Sequence, residues 1–133
     1  MEHNEIIEKY INTFFGNLSA REKKEIHFDQ YMWHAFSYEK IKCIDGEEAI
    51  REFAKMDKNE VYIFLEHEYK VWKEKDLTLK SLFKLLNDIE KNMAYDCYVV
   101  DKDFTWTFIT THETEYDEGI YHYIGPFFKK VDY

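Results

Sequence analysis

The chain has 133 residues, of which 45% are hydrophobic and 19% aromatic, and it carries a formal net charge of −9. Its length fits one domain, predicted over residues 1–133, and its few Gly and Pro residues exclude a disordered chain. The acidic balance argues against nucleic acid and anionic membranes as partners, because both are bound through clustered Lys and Arg.

Cysteine usage and the N-terminal sequence predict the compartment. Cys43 and Cys97 are far apart and lack the C-x-x-C spacing of redox and zinc motifs, so we expect two buried free thiols. The first residues, MEHNEIIEK, do not resemble a signal peptide, and no apolar stretch approaches the roughly 20 residues of a membrane helix. We therefore predict a cytoplasmic protein.

Helix signals dominate the first part of the chain. Apolar residues recur at helical spacing over 6–15, with Asn4 as the cap and Gly16 as the stop. Segments 19–22 (SARE) and 45–48 (DGEE) fit the capping box, in which the first and fourth side chains each bond to the other residue's backbone amide. We predict a helix at each of these three places.

Two further segments of the first part lack a helical stripe. Segment 31–38 (YMWHAFSY) is rich in aromatic residues, and we predict that it is extended. Segment 61–65 (VYIFL) is apolar on both faces, which is typical of a central strand that is covered on both sides.

The second part of the chain combines one helix with a strand meander. Thr78 is predicted to cap the helix. Its apolar stripe is formed by Leu79, Leu82, Phe83, Leu86 and Ile89. Strands are predicted over 95–100, 104–111 and 120–124. In the middle strand, aromatic residues alternate with mainly threonines, so we expect one core face and one half-exposed threonine face.

The order of the elements predicts the fold class. Helices and a strand come first, then a helix, then an antiparallel meander, without an internal repeat or a linker. We therefore predict an α+β fold with a mostly antiparallel sheet and three to four helices, packed mainly on one face of that sheet.

Segment 110–124 (TTHETEYDEGIYHYI) holds the candidate site. If its turn centres near residues 117–119, His112 and His122 lie diagonally on one face of a hairpin, where they can share a divalent metal with Glu113 or a loop acid as the third ligand. Such a site is the basis of the alternative function, a small metal-binding protein or a hydrolase-type enzyme that uses His112, Glu113 and His122. A solvent-exposed acidic turn explains the segment better, since the second histidine of the H-E-x-x-H motif is absent.

Other catalytic motifs are missing from the sequence. The four glycines are isolated, which excludes P-loop and dinucleotide fingerprints, and G-x-S-x-G is absent. Asp101 and Asp103 are better explained as turn residues that accept backbone hydrogen bonds than as a glycosidase pair. We therefore predict no catalytic residue and no cofactor.

An acidic domain rich in aromatic residues suits protein binding. Eleven Tyr, eleven Phe and three Trp exceed the needs of a core of this size, so some rings are expected at the surface. We predict a small acidic binding protein with a protein partner, of the inhibitor, immunity or adaptor type. The predicted partner surface consists of Glu115, Tyr116, Asp117, Glu118 and Tyr121.

Several short segments resemble one bacterial family. They are 33–39 (WHAFSYE), 45–49 (DGEEA), 61–64 (VYIF), 98–106 (YVVDKDFTW), 112–113 (HE) and 124–126 (IGP). Over about residues 20–128 the chain resembles the short bacterial proteins of the family named domain of unknown function 4275. The resemblance implies a single-domain bacterial cytosolic protein and supplies no catalytic residue to carry over.

Overall fold

An antiparallel sheet forms the centre of the structure, which is a computed structural model that describes residues 2–89, 96–112 and 125–131. The helices of these residues are α1 (His3–Phe15), α2 (Ala20–Glu25), α3 (His34–Ser37), α4 (Gly46–Lys55) and α5 (Leu79–Ile89). Their strands are β1 (Ile44–Asp45), β2 (Val61–Leu65), β3 (Val71–Glu74), β4 (Cys97–Asp101), β5 (Trp106–Thr110) and β6 (Phe127–Lys130). The strand order is β1-β6-β5-β4-β2-β3, with antiparallel neighbours throughout.

Two hydrophobic cores lie on opposite faces of this sheet. The first core joins Tyr98, Val100 and Ile109 to α1 and to the residues around α3. The second core joins Val99 and Phe108 to α4 and α5. The predicted α+β class and the antiparallel sheet are confirmed. The number and placement of the helices differ from the prediction. The described residues contain five helices, which pack on both faces of the sheet. Strands such as β4 are therefore buried along their whole length.

The predicted half-exposed threonine face of β5 is wrong. Every residue of β5 is buried, and Thr107 has 0% exposure. Thr107 Oγ1 donates to the backbone oxygen of Val99 at 2.8 Å and accepts from the hydroxyl of Tyr10 at 2.8 Å. Because α1 covers this face, Thr107 lies in the core and its hydroxyl group is hydrogen-bonded inside the protein.

The predicted extended segment 31–38 is also wrong, because it contains α3 and the turn before it. Its backbone bonds to side chains instead of a neighbouring strand. The N–H of Met32 donates to Glu66 Oε1 at 2.8 Å, and the N–H of Trp33 donates to the Tyr98 hydroxyl at 3.0 Å. The aromatic content reflects core packing, since the ring of Trp33 is buried in the first core.

The ends of α1 confirm one signal and correct another. The helix begins at His3 after Glu2, which forms no side-chain cap, so the predicted cap at Asn4 is wrong. The predicted stop at Gly16 is confirmed. A Cβ atom at Gly16 would lie 2.3 Å from the carbonyl oxygen of Asn12, so the close approach of the chain requires glycine there.

The two predicted capping boxes have different outcomes. Ser19 and Glu22 form the box of α2, with both hydrogen bonds at 3.1 Å. The helix predicted after Asp45 is present as α4, but Asp45 makes no side-chain cap. Asp45 lies in β1, where its backbone pairs with Phe127 of β6.

The remaining predicted elements are largely present. β2 lies between β3 and β4, as expected for a central strand. Thr78 caps α5, since Ser81 N–H donates to Thr78 Oγ1 at 3.1 Å, and Leu82 is buried while Phe83 is half-buried. β4 and β5 correspond to the first two strands of the meander, and predicted strand 120–124 lies outside the described residues. β3 and β6 were missed because each mixes apolar with charged residues.

Candidate functional site

The residues predicted to form a site lie mostly in segment 113–124, outside the described residues. Glu113 and His122 of the metal hypothesis lie there. So does the whole predicted partner surface, Glu115, Tyr116, Asp117, Glu118 and Tyr121. Within residues 2–89, 96–112 and 125–131, no group of three or more His, Cys, Asp or Glu side chains is arranged to hold a metal ion. The metal hypothesis therefore stays a prediction.

His112 is described, and Asp96 fixes its position. The carboxylate of Asp96, just before β4, accepts from the backbone N–H of His112 at 3.1 Å and contacts ring Nδ1 at 3.0 Å. The same oxygen accepts from Trp33 Nε1 at 2.8 Å. Asp96 thereby ties the chain after β5 to the start of β4 and to the residues before α3.

Three imidazole rings surround the ring of Tyr31. The centroids of His34, His112 and His67 lie 5.3, 5.1 and 6.4 Å from the Tyr31 centroid. His34 and His67 each place one ring nitrogen 2.6 Å from a backbone carbonyl oxygen. These contacts hold the segment before α3 against the ends of β2 and β5.

Glu66, the residue after β2, is a half-buried carboxyl group at the edge of this cluster. Its Oε1 accepts from the backbone N–H of Met32 at 2.8 Å and also from the hydroxyl of Tyr98. Among the described residues, none donates a hydrogen bond to Oε2. Within the described residues, Glu66 therefore has one oxygen that accepts two hydrogen bonds and one oxygen without a donor.

Burial raises the pKa of Glu66 from its usual 4.5 to about 7. The hydrogen bonds from Tyr98 and Met32 and the nearby His67 oppose the rise, while Asp96 adds to it. Burial, with the adjacent Glu66, likewise raises the pKa of Tyr98. Glu66 is therefore a group that gains or loses its proton near neutral pH.

A groove of about 480 Å³ opens beside Glu66. We call it the α1 groove, because it is lined by α1 side chains between 4 and 11, by residues 64–69 and by Met32. Its apolar lining residues are Ile7, Ile11, Met32, Phe64 and Leu65. Glu8 and Glu68 are exposed at its rim, and the Tyr69 ring beside them is 82% exposed. The groove thus combines an apolar floor with an acidic rim.

A larger cavity of about 760 Å³ lies beside α3 and the start of α4, and Cys43 lines it. Burial raises the pKa of Cys43 to about 11 and that of Cys97 to about 12. Both thiols are therefore protonated at neutral pH and are poor nucleophiles. Cys97 is buried as predicted, whereas Cys43 is half-buried.

The sequence showed only part of this site. His112 was a predicted site residue, but Asp96 and Glu66 were missed because their partners are remote in the chain. The useful signal is the pair Glu66-His67, two ionisable residues directly after a buried central strand. Polar residues at the end of such a strand stand at the edge of the core, where a groove can form.

The fold and the site together define an acidic α+β domain with a groove next to a half-buried carboxyl group. The chain belongs to the family described as Domain of unknown function (DUF4275), whose model matches residues 4–128, so the resemblance seen in the sequence is confirmed. No match was found among curated proteins or solved structures. Among the described residues, no helix has the length and apolar character needed to cross a membrane.

Glu66→Gln is expected to reduce the pH dependence of stability. The folded protein holds the Glu66 proton up to about pH 7, against 4.5 for an ordinary carboxyl, so wild type loses stability as the pH rises between these values. The glutamine side chain keeps an oxygen for both donors and does not titrate. The variant should gain up to about 3 kcal/mol relative to wild type from about pH 4 to 8 in urea unfolding.

Glu68→Gln is the control for this measurement, because it removes an exposed carboxylate of the same groove. Its stability should follow that of wild type across the pH range. Parallel curves for wild type and Glu66→Gln would show that the pKa of Glu66 is not raised.

Proposed function

We propose that this protein is a small, non-catalytic binding protein whose partner is another protein, and that a segment of this partner occupies the α1 groove. The observation that carries the proposal is the ring of Tyr69, 82% exposed next to an apolar floor. Tyrosine is enriched at protein interfaces, because it offers a large rigid ring with one polar end.

Charge supports a basic partner segment. The chain has a formal net charge of −9, and Glu8 and Glu68 stand at the groove rim. An acidic surface speeds the approach of a basic partner and disfavours acidic competitors. A partner segment with apolar and basic side chains fits this lining, as expected for an inhibitor, immunity or adaptor protein.

Panning a library of random peptides displayed on phage against the protein tests the proposal. We expect enrichment of peptides that combine apolar and basic residues. Tyr69→Ala should weaken the binding of these peptides about tenfold or more, because an aromatic anchor at an interface commonly contributes over 1 kcal/mol. Fluorescence anisotropy with the recovered peptides measures the effect.

Tyr38→Ala is the matched control. Tyr38 is the other large exposed apolar side chain of the described residues, at 55% exposure, and it packs on His34 outside the groove lining. It should leave peptide affinity unchanged. Failure to enrich any peptide, or equal losses in the two variants, would contradict the proposed binding groove.

A further inference from the structure

We propose that Glu66 receives the ammonium group of a lysine side chain when the partner segment lies in the α1 groove. This inference rests on the proposed function and names the side chain that the groove selects. It follows from the hydrogen bonds of Glu66, from the charges around it and from the apolar walls that lead to it.

The hydrogen bonds of Glu66 favour a single donor. Oε1 already accepts from Met32 N–H and the Tyr98 hydroxyl, whereas Oε2 has no donor in the described part of the chain. Arginine binds carboxylates best through two parallel hydrogen bonds to both oxygens, whereas lysine binds as a compact charge. One open oxygen therefore fits lysine better than arginine.

The charged side chains around Glu66 are mainly acidic, which favours a bound cation. Asp96 lies close on the β4 side, and Glu8 and Glu68 line the same groove. The only basic side chain among the described groove residues is His67. Lys70, which follows Tyr69 in the chain, places its ammonium group 4.8 Å from the centroid of the Trp72 ring. A lysine from the partner would thus enter a groove lined by three carboxyl groups, those of Glu8, Glu66 and Glu68.

The walls of the groove suit the remainder of a lysine side chain. A lysine buries its four-carbon stem along apolar surface while its charge contacts a polar group. Ile7 and Ile11 are half-buried, line the groove that contains Glu66 and provide such surface. Norleucine has the same stem without the charge, so it separates the two contributions.

The ionisation of Glu66 makes lysine binding depend on pH. Lysine stays charged up to about pH 10, whereas Glu66 ionises near pH 7. Affinity should therefore rise about tenfold from about pH 6 to 8. The ionisable groups that face Glu66 are Asp96, His67, Tyr98 and Tyr10. Burial raises the pKa of both tyrosines, so they stay protonated over this interval.

The test uses a Tyr69-dependent peptide from the panning and its versions with lysine changed to norleucine or arginine. We expect the norleucine peptide to bind about ten- to hundredfold more weakly, and the arginine peptide also more weakly than lysine. In Glu66→Gln the advantage of lysine and the rise of affinity with pH should disappear. His67→Asn should keep both, and asparagine tolerates the φ of 64° found at His67.

The possible results distinguish a failure of the role of Glu66 from a failure of the proposed function. Tyr69-dependent peptides that lack lysine, or that bind equally well with norleucine or arginine, would overturn the role of Glu66 and leave the proposed function standing. A lysine preference that persists in Glu66→Gln would overturn it in the same way. If panning yields no Tyr69-dependent peptide, the proposed function fails and this inference fails with it.

Discussion

Replacing Phe108 with alanine is expected to destabilise the protein by about 3–5 kcal/mol. Phe108 has 0% exposure in β5 and belongs to the second core. Its ring stacks on Phe53 of α4 with centroids 4.2 Å apart and planes at 13°. Removing it opens a cavity between the sheet and α4 and ends this stacking, and neither loss can be recovered by a small shift of one side chain.

Phe83→Ala is the control for this loss. Phe83 packs against the second core from α5 but is only half-buried. Its truncation should destabilise the protein clearly less, because a half-buried side chain contributes less buried apolar surface. Urea unfolding followed by circular dichroism measures both variants. Equal losses would mean that the rim of the second core is packed as tightly as its centre.

Replacing Asp101 with alanine is expected to cost about 3 kcal/mol, because buried donors lose their acceptor. Asp101 is 8% exposed at the end of β4. Its Oδ1 accepts from the N–H of Thr105 at 2.6 Å and of Trp106 at 3.1 Å, and its Oδ2 accepts from the Thr105 hydroxyl. The carboxylate therefore closes the turn from β4 to β5, in which Phe104 has a φ of 58°.

Asp103→Ala provides the matched comparison, since Asp103 lies in the same turn and is exposed. It should change the free energy of unfolding by less than about 0.5 kcal/mol. Asp101→Asn should fall between the two, because its amide oxygen still accepts backbone hydrogen bonds. A loss in Asp103→Ala as large as that in Asp101→Ala would contradict the role given to the Asp101 carboxylate.

The β4–β5 hairpin shows what the sequence could predict. Its strands are apolar, the turn between them is polar and short, and Asp101 was expected to accept backbone bonds there, as it does. The capping box of Ser19 and Glu22 belongs to the same class. Both depend on residues three to five positions apart, so their physical cause is contained in the local sequence.

Segment 31–38 and the site show what the sequence could not predict. An aromatic run without a helical stripe suits a strand, but Trp33 bonds to Tyr98 and Asp96, more than sixty residues later. The burial of Thr107 likewise depends on Tyr10 of α1. The open oxygen of Glu66 follows from two donors, one just before α3 and one in β4. No periodicity within the segment contains such information.

The strand pairing of β1 has a consequence for synthesis of the chain. Its neighbour in the sheet is β6, since Ile44 pairs with Phe128, roughly 80 residues later. At ribosomal rates of about 5–20 residues per second, β6 is synthesised roughly 4 to 16 s after β1. Phe127 and Phe128 complete one core each, so both stay open at one edge until then. The nascent chain therefore exposes the aromatic surface of both cores until β6 is made, and both cores close nearly at once.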